Sequence, residues 1–274
     1  MIYMTKLMIF PYHPDIEVII TYAEYICNFT ISGIASYKED NHLVKELNQK
    51  IGCGNDFDEA ISNCDCVLLL DNYRQYQAGK YYEVIKQAKF HGKEIMAVPS
   101  VLQELGLNEK EHSITPFIKE PEFHNPKLEI IKYAEEKKLL IETPVIAVLG
   151  MGKNCSKFEN QLNLYLSLAE RNYKVTWIAS NPIGVLWGGY TMPDFMFDEK
   201  LAFKAKVLQF NHFIYKMGIE EKPDVFIIGI PEGIPEFQTG EYNHFGEYPL
   251  IVGSAVPIDS AILCTYFVRE HKAQ

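Results

Sequence analysis

The chain has 274 residues, which suits two domains or one large α/β domain. It is 47% hydrophobic and 23% charged, the balance of a globular protein with a substantial core. The net charge of -10 speaks against a broad surface for nucleic acid or anionic lipid, and no apolar run is long enough to predict a membrane span.

In chain order, residues 6–12 (KLMIFPY) read as a strand and 15–26 as a helix. Residues 29–37 read as a second strand, followed by a helix over 41–50. A short helix is predicted over 56–63, with Asp56 placed to cap it and Asp58 and Glu59 in its acidic first turn. It feeds 65-DCVLLLD-71, a continuous apolar strand of the kind buried on both faces. An amphipathic helix over 79–92 stops at Gly92, and 94–100 is the next strand. This rhythm predicts a parallel sheet with crossover helices, a Rossmann-like domain over 1–107. No G-x-G-x-x-G follows the first strand, so the dinucleotide fingerprint is absent.

Residues 108–126 carry three prolines and many charges and mark the best boundary. A connecting helix over about 127–139 completes a linker of 108–143. The second domain, 144–274, repeats the α/β pattern: strand 145–150, helix 156–172, strand 174–180, an irregular glycine-rich stretch to Asp198, helix 199–218 and strand 224–231. The end, 249–267, reads as two strands or a strand and a short helix. The fold class expected is therefore α/β, two Rossmann-like three-layer domains with mainly parallel sheets, the second resembling P-loop NTPases.

The most informative stretch is 145-VIAVLGMGKNCSKFENQL-162. A strand, a loop with two glycines, a lysine and a helix are the parts from which a phosphate cradle is made, because backbone N–H groups and a helix N-terminus then face one concavity. Gly150 to Lys157 is one residue longer than G-x-x-x-x-G-K-[ST], the spacing found in dethiobiotin synthetases. Gly150, Gly152, Ser156 and Lys157 are the candidate phosphate or nucleotide contacts. Two parts depart from the pattern. Phe158 stands where a Ser or Thr would hold magnesium. The strand 225-VFIIGIPEG-233 resembles the III-D-x-P-x-G element of dethiobiotin-synthetase and MinD-like ATPases, but its aspartate position is Gly229. The ligands this suggests are ATP or GTP, with the two missing groups counting against magnesium. The alternative is an ordinary strand–turn–helix whose glycines serve the turn.

The segments GMGKNCSKFENQL, KVTWIASNPIGVLWGGYTMPDFMF, PDVFIIGIPEGIPEF, NHFGEYPLIVGSAVPIDSAILC and DFDEAISNCDCVLLLDN resemble the clostridial "peptide maturation system protein" family. That family is encoded beside small Cys-rich peptides and a radical SAM maturase, and the likeness spans most of the chain. It implies an accessory role in making a modified ribosomal peptide, a natural product, with the Cys-rich precursor and the radical SAM maturase as partners. It supplies no defined reaction.

Other candidates lie at expected strand ends. Trp187, Tyr190 and Asp194, in the stretch after the second strand of the second domain, are candidates for stacking or ligand binding at the sheet's carboxyl edge, against packing of the rings within the domain. Asn243 and His244 follow the third strand, where His244 with Glu232 and Glu236 would make an acid–base pair, against an exposed histidine with no such task. Catalytic candidates are Lys157, Glu159, Glu232 and His244. The six cysteines (Cys27, Cys53, Cys64, Cys66, Cys155, Cys264) are scattered, complete no zinc set, and suggest free thiols in a reducing cytoplasm. Cys155 faces a predicted helix N-terminus, which favours a thiolate, or is a small residue that fits the turn.

Three functions fit these readings. The first is an accessory protein that binds a nucleotide or other phosphorylated small molecule with weak or no hydrolysis. The second is an ATP-dependent carboxylate-activating enzyme that resembles dethiobiotin synthetase, with Glu159 or Glu232 replacing the usual metal ligands. The third is a scaffold for the precursor peptide or the maturase.

Overall fold

The computed structural model describes residues 4–12, 16–37, 41–51, 57–71, 77–107, 113–124, 137–152, 155–234 and 246–266. The chain divides into two compact units, Met1–Ile118 with Val185–Gly188, and Lys119–Gly184 with Gly189–Gln274.

The first unit holds strands β1 (Thr5–Phe10), β2 (Phe29–Ile34), β3 (Cys66–Leu69), β4 (Glu94–Ala97) and β5 (Thr115–Pro116). Their order is β2-β1-β3-β4-β5, every pair parallel. This is the doubly wound 2-1-3-4-5 arrangement. All four residues of β3 are buried, as its unbroken apolar run requires of a central strand covered on both faces. Helices α1 (Ile16–Thr21), α2 (Asn41–Lys50), α3 (Phe57–Asn63), α4 (Ala78–Phe90) and α5 (Pro99–Glu104) complete the unit. Buried Asn48 fixes α2 to the end of β2, accepting from Ile34 N and donating to Ile34 O, each at 2.9 Å. Gly92 takes a φ of +65° just past α4, the left-handed turn anticipated for it.

The strand expected over 94–100 ends at Ala97, because Pro99 starts α5, a position that needs no N–H. The proline-rich boundary contributes β5, which pairs with β4, and the first compact unit includes residues up to Ile118. Asp56 and most of the connecting helix expected over 127–139 lie outside the described residues.

The second unit holds β6 (Val145–Gly150), β7 (Val175–Ala179), β8 (Tyr190–Thr191), β9 (Val225–Gly229) and β10 (Ser260–Cys264), in the order β10-β6-β9-β7-β8, again all parallel. Helices α6 (Lys157–Glu170), α7 (Phe203–Glu221) and α8 (Glu247–Ala255) cover it. Side chains of a strand alternate between faces. Val145, Ala147, Ile178, Phe226 and Ile228 pack with Val207, Phe210, Ile214 and Met217 of α7 and Ile251, Val252 and Ala255 of α8. The opposite face, with Val148, Gly150, Trp177 and Gly229, is left for α6. Buried Asn211 of α7 accepts from Leu139 N at 2.6 Å and donates to Leu139 O and Ala255 O, tying the incoming chain and α8 to one point.

The final segment runs helix then strand: 249-PLIVGSA-255, apolar enough for a strand, belongs to α8 because it is covered by α7. The irregular stretch before Asp198 contributes the short β8, and α7 starts at Phe203, later than expected. Among the described residues no helix is long and apolar enough to cross a membrane.

Candidate functional site

Three strand ends meet at the carboxyl edge of the second sheet: Gly150 of β6 lies in register with Cys264 of β10, and Val148, two residues earlier, with Gly229 of β9. The strand that leads into the loop and β9, which ends at Gly229, are thus direct neighbours. Ligands of open α/β sheets bind along this edge.

Gly150 is needed because the chain returns onto it. A Cβ there would strike the Cys155 thiol and lie 2.7 and 2.8 Å from Cδ and Cγ of Lys157. The lysine stem therefore crosses the end of β6, and Lys157 is only 9% exposed. Gly152 lies under Tyr266, whose hydroxyl is 2.5 Å from the place of a Cβ. The loop is anchored on both sides by backbone bonds: Met151 N donates to Cys264 O at 2.9 Å, and Ile234 N to Gly150 O at 3.0 Å. Buried Cys155 donates from Sγ to Gly152 O at 3.2 Å, filling the inside of the turn.

Ser156, exposed at the start of α6, takes a φ of 57°. This is the left-handed conformation that glycine adopts without penalty. Its carbonyl accepts from Asn160 N at 3.1 Å and Asn160 Nδ2 at 2.9 Å. The structure thus gathers Gly150, Gly152, Ser156 and Lys157 around one turn at the N-terminus of a helix of 14 residues. Residues 153–154 lie outside the described residues.

The metal-binding half of a phosphate loop does not fit these residues. Phe158 is buried and tilts against Trp177 with ring centroids 5.9 Å apart. Its helical position points into the core. At Gly229 a side chain would collide with the carboxamide of Gln161, whose Nε2 would lie 2.7 Å from the added Cβ. Gln161 is 0% exposed. Its Oε1 accepts from Ser180 N at 3.1 Å and Trp177 Nε1 at 3.3 Å, and its Nε2 donates to Ser180 Oγ at 2.7 Å. The space of the missing aspartate is occupied by a hydrogen-bonded neutral amide. Among the described residues no group of three or more His, Cys, Asp or Glu is placed to hold a metal ion.

The remaining candidates are dispersed. Glu159 is half-buried in the first turn of α6. Glu232, after β9, has a φ of 55°, and its charge acts on Tyr248. Burial first, then Glu232, Glu247 and Glu199, push that phenol well above its ordinary range. Buried Lys206 donates to Glu247 at 3.1 Å.

Trp187 does not offer a face for stacking. It is 1% exposed, and its Nε1 donates to Tyr22 O at 3.0 Å within the first unit. Tyr190 is likewise engaged: its hydroxyl donates to Glu221, and Lys119 Nζ lies 4.2 Å from its ring centroid. Burial, and then Glu221, push its phenol above the ordinary range. Both aromatics serve packing, because a ring-sized apolar surface near a sheet gains most by being covered. Asp194 is exposed on a short 3-10 turn, Asp194–Met196. Asn243, His244 and Glu236 lie outside the described residues.

Sequence reasoning missed Gln161 and Tyr266. Gln161 carried a signal: it lies four residues after Lys157 on the same helical face as Phe158 and Leu162, where a polar residue must find partners inside. Tyr266 carried none, since it reaches the loop only through the pairing of β10 with β6.

Compared with protein-family models and with curated proteins, the chain matches none. Among solved structures, it is similar to the crystal structure of a DUF1611 family protein from Anabaena variabilis, with a TM-score of 0.62 and 12% identity over 94% of this chain and 74% of that one. A likeness at this identity shows the α/β fold alone.

Proposed function

We propose that the chain is an accessory protein of ribosomal-peptide maturation in the cytoplasm that binds a nucleotide or other phosphorylated small molecule at the 150–157 loop, without metal-dependent hydrolysis. The observation that carries the reading is the split character of the site. The parts that would face an anion lie on one turn: a glycine loop at a strand end, a helix N-terminus and Lys157, whose stem crosses Gly150. The metal-facing parts are replaced by Phe158 in the core and by the Gln161 amide at Gly229. Hydrolysis of a nucleoside triphosphate rests on positioned cationic charge around the phosphates. Binding an anion needs only donors and a nearby cation. The role in peptide maturation rests on the sequence resemblance, and ATP and GTP are the first ligands to try.

Calorimetric titration with ATP, GTP and pyrophosphate tests this. Lys157→Ala removes a charge-assisted contact worth about 1.5–3 kcal/mol, an expected loss of roughly 10- to 100-fold in affinity. No binding of any of these ligands, or the same affinity in Lys157→Ala, would sink the proposal.

A further inference from the structure

The end of β6 holds a pair of thiols that phosphate binding does not use. Cys264 closes β10 in register with Gly150. Residues paired between parallel strands project to the same face, with strands about 4.8 Å apart. Gly150 has no side chain, and the place its Cβ would take is held by the Cys155 thiol. Cys155 therefore stands in the slot beside Cys264, as its neighbour across the ladder. Both are free thiols and both are buried. The stem of Lys157 crosses the same glycine. Burial and the nearby Cys155 raise the pKa of Cys264, while the Lys157 charge acts in the opposite sense.

Cys64 and Cys66 also interact, with Lys93 acting on Cys64, but among the described residues only Cys155 is seated in the slot of a glycine paired with another cysteine. Cys27 is exposed, in a part of the chain that belongs to the first unit. Cys66 is pushed up to about 12 by burial and then by Glu94, with Cys64 and Asp65 adding to the rise.

We propose that Cys155 and Cys264 are a dithiol site that closes to a disulfide on reaction with a low-molecular-weight disulfide. One protein thiolate attacks a sulfur of the small disulfide and releases one small thiol. The second protein thiolate then attacks the protein sulfur of the mixed disulfide and releases the other small thiol. The protein thiols are oxidised, the small disulfide is reduced, and the protons given up by the protein leave on the two small thiols. Lys157 is a positioning residue: its ammonium favours the thiolate that the exchange requires. Closure draws the Cys155 sulfur from Gly152 O and ties the loop to β10. This goes beyond the phosphate reading and stands or falls separately from it.

The test uses the full-length reduced protein, incubated with oxidised glutathione or with the smaller hydroxyethyl disulfide. Remaining thiols are alkylated under denaturing conditions, and the peptides are mapped without reduction. The expected result is a cross-linked peptide joining Cys155 to Cys264, with Cys64 and Cys66 alkylated. Neither Cys155→Ser nor Cys264→Ser forms it. Lys157→Met slows closure several-fold, and Lys157→Arg restores the rate. Alkylation of both Cys155 and Cys264 after exposure to either disulfide, or a stable separate adduct on each, overturns the proposal. Unchanged closure in Lys157→Met overturns the part assigned to the lysine.

Discussion

Gly229 is where the chain departs most consequentially from a magnesium-dependent phosphate loop, and the departure has a steric cause. The Gln161 carboxamide fills the space that a side chain on Gly229 would need, and it is held there by Ser180 and Trp177. An aspartate placed there is therefore not expected to bring a gain of function. Gly229→Asp is expected to cost about 1–3 kcal/mol by overpacking, with the burial of a carboxylate adding to it, and to confer no magnesium-dependent phosphate release. Urea unfolding with a phosphate-release assay checks both. A second prediction concerns Cys66, whose thiol is pushed from 9.0 up to about 12 by burial and then by Glu94. The folded state keeps this proton while the unfolded chain releases it. The contribution is complete below pH 9 and is lost as pH rises towards 12. Cys66→Ala is expected to flatten the fall of unfolding free energy across that window, by up to about 1.4 kcal/mol per pH unit. An identical slope in the variant would contradict the assignment.

At the scale of elements, the contact between α6 and the sheet decides what the site can do. Lys157, Phe158, Gln161 and Leu162 form one buried stripe, and Gly150 and Gly229 are the gaps in the sheet into which that stripe settles. The elements themselves were readable from periodicity: the strand at 145–150 stands where the pattern puts it, and the helix expected over 156–172 and the strand expected over 224–231 are present as Lys157–Glu170 and Val225–Gly229. Their meeting was not readable, because no local pattern reports which strand lies beside which. Phe158 looked like a missing ligand, whereas the fold shows a core residue on Trp177. For Trp187 the sequence left stacking on a ligand and packing within the domain both open, since a loop position says nothing of burial, and the fold shows packing. The packing makes a quantitative claim. Gly229→Ala should destabilise by about 1–3 kcal/mol in the native background and be close to neutral in Gln161→Ala, where the obstructing amide is gone. Additive effects in a double-mutant cycle would show that the two positions do not compete for space.

At the scale of the whole molecule, two α/β units with parallel sheets were legible from the alternation of apolar strands and amphipathic helices, whereas the short edge strands β5 and β8 were not. The exchange of segments between the units was not: Val185–Gly188 counts with the first unit although its neighbours in sequence count with the second. The site itself was half legible. The part proposed to bind an anion is local in sequence, 150–157, and could be read as a motif. Its other walls come from Gly229, Cys264 and Tyr266, brought in by strand order. The central proposal is an anion site that works without a metal. The most direct measurement is calorimetric titration of the intact protein with ATP, once with magnesium and once with a chelator. Saturable binding with the same affinity in both is the result expected. Binding that appears only with magnesium would contradict the account.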